Sequence, residues 1–196
     1  MREPSAGTPG RPLDKPDMDK KGIRMELKQR ERSFLESGAA ASESRRILSA
    51  LESLPEFRAA DCVLFYMSIP GEVETAGFVE KWSGSKTIVL PRVKGDVLEL
   101  LRYDRNALQE GYKGILEPSD MAEAVEAGSI DFAVIPGLAF APCPRGGFYR
   151  MGRGKGFYDR LLPLLKCPVA ALAFPFRLLE SIPLDDWDVP VKYLFY

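Results

Sequence analysis

The sequence predicts an α/β protein: a three-layer α/β/α single domain on a mainly parallel sheet. Two observations carry this. Short apolar runs recur at 62–67, 87–90, 97–103, 132–136 and 169–174, lengths that suit buried strands. Between several of them lie stretches with helical spacing or helix-favouring composition, and strands that alternate with helices are joined by crossovers that make them parallel. A chain of 196 residues, 45% of them apolar, is long enough for one sizeable core.

From the N-terminus, residues 1–18 hold four prolines, two glycines and little apolar surface, so they are expected to form a disordered tail. The domain is expected over 19–196. A basic helix-favouring stretch at 19–37 carries Ile23, Leu27 and Phe34 roughly on one face. Ser42 is the expected cap of a second helix with Ile47, Leu48, Leu51 and Leu54, stopped by Pro55. Strands follow at 62–67 and 87–90, with a helix at 73–82 between them, then a strand at 97–103. A helix is expected at 120–128, a strand at 132–136, a helix at 157–166, and strands at 169–174 and 193–196.

Composition limits the chemistry. The net charge of −1 provides no global field toward nucleic acid or acidic lipid, so neither is an expected partner. No apolar run approaches a membrane span and the N-terminus lacks a secretory h-region, so a cytoplasmic protein is expected. Cys62, Cys143 and Cys167 fit neither a disulfide framework nor a zinc site. There is no histidine, which excludes Ser-His-Asp triads and histidine-ligated zinc chemistry. Lys, Arg, Asp, Glu, Tyr, backbone amides or a bound metal must do the work.

The segment "YRMGRGKGFYDRLL" (149–162) follows the 132–136 strand and leads into a helix. Ligands of open α/β sheets collect beyond the carboxyl ends of strands. Gly152, Gly154 and Gly156 let backbone N–H groups approach a phosphate, while Arg150, Arg153 and Lys155 supply charge. The loop is neither a Walker A motif nor a dinucleotide fingerprint. Asp159 is the nearest hard ligand for a metal accompanying phosphates. A plain turn with solvated cations explains the same residues. The Arg-Gly-aromatic texture is also that of RNA-binding segments.

Together with further motifs, this segment resembles the 5-formyltetrahydrofolate cyclo-ligase (methenyltetrahydrofolate synthetase) family. The motifs are Lys20-x-x-x-Arg24, "YMSIPGEVET" (66–75), "LPRV" (90–93), "GILEP" (114–118), "VIPGLAF" (134–140), "GFYD" (156–159) and "IPLDDWD" (182–188), in order over roughly 19–196. The resemblance implies an α/β/α fold and an enzyme that uses ATP and Mg²⁺ to convert 5-formyltetrahydrofolate to 5,10-methenyltetrahydrofolate, releasing ADP and phosphate. Phosphorylation of the formyl oxygen is the implied route. A non-catalytic nucleotide- or RNA-binding protein on the same scaffold is the alternative.

The resemblance also implies roles. Lys20, Arg24, Arg150, Met151, Gly152, Arg153, Gly154, Lys155, Gly156, Phe157 and Tyr158 would bind ATP. Arg24, Ile69, Glu74, Arg153, Gly154, Lys155, Gly156 and Phe157 would contact the reduced folate, with Arg153 and Lys155 catalytic. Asp159 and Asp188 would hold Mg²⁺. Each residue also has a plainer account: Lys20 and Arg24 as surface cations, Glu74 as a solvated acid, Ile69 as core, Asp159 as a helix-dipole partner. The chain departs from the family pattern at Ala141, where an aspartate is usual, and at Arg177, where a glutamine is. A monomer is compatible with all of this; the oligomeric state is not legible.

Overall fold

A computed structural model describes residues 19–111 and 114–196. The 1–18 tail expectation lies outside the described residues. Helix α1 (Lys20–Glu36) starts at Asp19, whose carboxylate accepts the Gly22 N–H at 2.7 Å; this satisfies one of the N–H groups a helix start leaves unpaired. Helix α2 (Ala40–Glu52) begins after Ala39 with no side-chain cap. Ser42 is therefore not the cap: it lies inside the first turn and its hydroxyl donates back to the Ala39 carbonyl at 2.9 Å. Pro55 both ends that run and opens α3 (Pro55–Ala59), where its missing N–H costs nothing.

The sheet is built from β1 (Cys62–Leu64), β2 (Thr87–Lys94), β3 (Val97–Arg102), β6 (Phe132–Ile135), β9 (Val169–Leu172) and β10 (Tyr193–Phe195). Its order is β10-β9-β6-β1-β2-β3. All pairs are parallel except the β2–β3 hairpin, which turns at Gly95 with φ +58°. Between the sheet strands lie α4 (Ala76–Ser83), two small ribbons, β4 (Leu108–Glu110) with β5 (Leu116–Pro118) and β7 (Ala139–Pro142) with β8 (Phe148–Met151), and α5 (Phe157–Leu161).

The period-2 alternation of strands sends successive residues to opposite layers. Val63, Ile88, Phe132, Val134 and Ala170 pack against Ile47 and Leu51 of α2, Phe57 of α3 and Val79 of α4. Leu64, Val89, Leu100 and Ala133 face Leu161 of α5. Ile135 and Ala171 join Phe140 and Leu162 on that second side. Ile23 and Leu27 of α1 pack on Ala139, Ala141 and Met151 of the β7–β8 ribbon, so α1 is clamped over this hairpin. The buried position of Ala141, 3% exposed, faces this apolar contact.

Several elements differ from expectation. No α-helix forms at 120–128, where only a 3₁₀ turn at Ala127–Ser129 touches the end of the segment. Instead the Arg102 N–H donates to Glu123 O and the Val125 N–H to Leu100 O, both at 2.8 Å, with an antiparallel bridge between Leu101 and Ala124. Covering the open edge of β3 outweighs the modest helix propensity of alanine and glutamate. The helix expected at 73–82 starts only at Ala76, because the Thr75 hydroxyl bonds the Tyr66 carbonyl (2.6 Å) and the Ser68 hydroxyl accepts from the Thr75 N–H (3.1 Å). The helix expected at 157–166 is one turn of α5 continued as a 3₁₀ turn at Leu162–Leu164, since Pro163 cannot donate. The 62–67 strand ends at Leu64, and the chain turns toward a cleft through Tyr66 and Met67.

Candidate active site

A cleft of about 290 Å³ opens at the carboxyl ends of β1 and β6, where open α/β sheets place ligands. Its apolar wall comes from Tyr66, Met67 and Ile69 after β1, Pro91 and Val93 of β2, and Leu116 of β5. Pro136, Gly137 and Leu138 after β6 close another side. Opposite them stands the β8–α5 connection, which contributes Arg150, Gly152, Arg153, Lys155, Gly156, Phe157, Tyr158 and Asp159. An apolar wall facing a cationic, glycine-rich one suits a ligand pair of unlike chemistry.

The glycine segment is more ordered at its start than its composition suggests. Tyr149, Arg150 and Met151 are paired in β8, and Met151 packs on α1 rather than facing the cleft. Gly154 (φ +95°) and Gly156 (φ +68°) take left-handed conformations that a side chain would strain. At Gly152 a Cβ would press on the Arg150 guanidinium at 3.0 Å. The helix N-terminus that follows the loop adds little positive charge, because α5 is five residues long and few peptide dipoles align. The RNA-like texture is folded into a strand, with Arg150 and Met151 buried.

Two charge pairs organise the walls. Arg150, its side chain 4% exposed, is paired with Asp159 and lies over the Tyr158 ring at 5.7 Å. Burial pulls its pKa down, while Asp159, Tyr158 and Asp188 oppose that. Across the cleft, Arg153 meets Glu72 at 3.2 Å, and the Ile69 N–H donates to the same carboxylate at 3.2 Å. Burial nonetheless holds the Glu72 carboxyl above its ordinary range, with Arg153 pulling the other way. The Tyr66 and Tyr158 phenols are pushed up by burial, and Glu72 adds to both shifts.

The structure gathers most of the expected residues. Ile69, Arg150, Gly152, Arg153, Lys155, Gly156, Phe157, Tyr158 and Asp159 share the cleft, and Gly154 lies on the same loop. Arg24 reaches that loop from α1, donating to Gly152 O at 3.4 Å. Lys20, one turn earlier, bonds Asp185 at 2.5 Å and stands 4.0 Å from Asp188. Asp188 accepts the Asp185 N–H at 2.8 Å.

Met151, Lys20 and Asp188 do not line the cleft, and neither does Glu74. It is exposed, outside the cleft, and its N–H donates to the Ser44 hydroxyl at 3.0 Å near α2. The acid in the cleft is Glu72. Residues 72 and 74 have the same parity, so alternation cannot separate them; only the turn at Gly71 (φ +87°) aims Glu72 inward. Sequence reasoning also passed over Tyr66 and Met67, whose apolar run reads as strand.

The three cysteines are unpaired. Burial pushes the Cys167 thiol up to about 11, away from the reactive thiolate. Among the described residues no group of three or more His, Cys, Asp and Glu side chains could hold a metal by itself, and no helix is long and apolar enough to cross a membrane.

Known proteins resemble this chain over most of its length. The model of the "5-formyltetrahydrofolate cyclo-ligase family" matches residues 16–196. The 5-formyltetrahydrofolate cyclo-ligase of Mus musculus is 28% identical over 193 residues, covering 90% of this chain and 93% of its own. That of Haemophilus influenzae is 30% identical, covering 71% and 77%. The NMR structure of Aquifex aeolicus 5,10-methenyltetrahydrofolate synthetase superposes with a TM-score of 0.79 at 34% identity, covering 91% of this chain and 89% of that one. With a family match over nearly the whole chain and a cleft at the carboxyl edge of the same fold, this protein belongs to the 5-formyltetrahydrofolate cyclo-ligase family.

Proposed function

We propose that the chain converts 5-formyltetrahydrofolate to 5,10-methenyltetrahydrofolate at the expense of ATP, releasing ADP and phosphate. The observation that carries this reading is the cleft itself: Arg153 and Lys155 on a glycine loop face Glu72 and an apolar wall. A polyphosphate suits the first side and a flat heteroaromatic ring with hydrogen-bonding edges suits the second.

The chemistry asks for little beyond positioning. A formamide oxygen leaves poorly, so the γ-phosphoryl group is transferred to it first. The neighbouring N10 amine then attacks the activated formyl carbon, the ring closes and phosphate departs. Phosphoryl transfer is catalysed mainly by alignment and charge neutralisation, which arginine, lysine and backbone amides provide without histidine. Arg153 and Lys155 would neutralise the transferring group. Arg24, Lys20 and the amides of 152–156 would hold the remaining phosphates. Glu72, retaining a proton more readily than an ordinary glutamate, can either donate to or accept from the folate ring edge.

Asp159 is a hard oxygen donor on the cleft wall, Asp188 stands beside Lys20 and Asp185, and one or two carboxylates completed by substrate phosphates is the usual way Mg²⁺ is held. The residues therefore fit an ion that arrives with the nucleotide rather than a resident one. Such an ion would supply charge neutralisation on the phosphates, and release of Asp159 from Arg150 would free its carboxylate.

The test is direct. Purified protein given 5-formyltetrahydrofolate and MgATP should develop the near-ultraviolet absorbance of the methenyl product, with one ADP per turnover. ADP release without methenyl formation would instead indicate a nucleotidase using the same loop.

A further inference from the structure

Among the described residues Arg177 is the largest fully buried side chain, 1% exposed, and a charge so placed must be paired. It closes a 3₁₀ turn, Pro175–Arg177, after β9. One terminal nitrogen donates to Leu138 O at 3.0 Å; the other donates to Gly71 O at 2.7 Å and to the Glu31 carboxylate at 2.5 Å. A single guanidinium thus ties together α1, the turn after β1 and the wall of the cleft. Gly71 is part of the fit: a Cβ there would run into the Glu31 carboxylate.

The partners say what the arrangement is for. Gly71 immediately precedes Glu72, and Leu138 lines the cleft. Glu31 lies two turns beyond Arg24, which touches the glycine loop from the same helix. As a source of stability a buried ion pair is poor, since well-packed apolar residues usually do as well or better. As a means of fixing two cleft carbonyls against one helix it is specific, because the planar guanidinium fork dictates direction.

We infer that Glu31, Arg177 and Gly71 form a positioning clamp that sets Glu72 at a fixed distance from the glycine loop, and so governs how the folate is seated. This rests on the reading of the cleft proposed above. Arg177 touches no reacting group and acts through the Gly71 carbonyl.

The experiment uses the full chain and compares Glu31→Gln, Arg177→Lys and Glu72→Gln, each alone and the first two combined with the third. Folate KM, ATP KM, kcat and melting temperature are measured for each. Loss of the clamp should raise folate KM by about tenfold or more, as small misplacements in a preorganised site do. ATP KM should stay within about twofold. In the Glu72→Gln background the clamp variants should add little further, because contacting or coupled residues are non-additive. Should Arg177→Lys fail to fold, Glu31→Gln carries the test, its side chain being 22% exposed.

A lowered melting temperature with unchanged folate KM would make the clamp purely structural and overturn the inference. So would a rise in folate KM that adds in full to that of Glu72→Gln. If Glu72→Gln raises folate KM and Glu31→Gln does not, the clamp alone is wrong. If Glu72→Gln leaves folate KM unchanged, the reading of the cleft falls, and the clamp with it.

Discussion

Arg150 and Arg153 are three residues apart and live in different surroundings. Arg150 is buried and paired with Asp159, whereas the Arg153 side chain is 46% exposed and reaches across the cleft to Glu72. Their sites should therefore respond differently to substitution. Arg153→Ala should cost turnover about 10²- to 10³-fold, the usual loss for one preorganised donor, with little change in melting temperature. Asp159→Asn should lose activity and also about 1.5–3 kcal/mol of stability, the range for a hydrogen bond to a charged group, because Arg150 is left without its counter-charge. Initial rates and urea melts on both variants check this; a melt unchanged by Asp159→Asn would mean the Arg150–Asp159 pair is not held in solution.

Glu72 offers a second test at this scale. Burial raises its carboxyl above the ordinary 4.5 in the fold, so between those two values the folded state binds more proton than the unfolded state. Stability then falls as pH rises through that window and is flat above it. The difference between wild type and Glu72→Gln should decline as pH climbs from 4.5 through mild acid and then level off. Urea melts across that range measure it. A difference that grows with pH would mean the carboxylate is stabilised as an anion.

Among the elements, α3 is short yet central. Its Phe57 is fully buried, edge-on to Trp82 at 5.1 Å and to Phe132 at 5.9 Å. Phe57→Ala should cost about 3–5 kcal/mol, the range for emptying an aromatic site in a packed core, with the cleft residues untouched. Denaturant melts give the loss, and a loss below 1 kcal/mol would mean α3 is not packed as described. Elements were legible where local pattern and global fold agree: α1, β2, β3, β6 and β9 follow directly from apolar spacing. The 120–128 segment was not, because its strand-like pairing depends on an open edge of β3 that no local pattern announces. The β7–β8 hairpin was hidden in the same way, since its pairing partners look like loop residues.

Across the whole molecule, the glycine loop was visible from sequence because its chemistry is local: three glycines and three cations within seven residues. Of the opposite wall only Ile69 was, because Glu72 and the buried Arg177 behind it come together only when segments distant in sequence meet at the carboxyl edge of the sheet. The central claim is that this edge seats a formyl-folate against a phosphoryl donor. The measurement closest to it is the absorbance time course of 5-formyltetrahydrofolate with MgATP and the purified chain, run beside Arg153→Ala. The account predicts that methenyl product forms stoichiometrically with ADP and slows by about 10²-fold or more in the variant. Absence of methenyl product from folded, ATP-supplied protein, or equal rates in both, would contradict it.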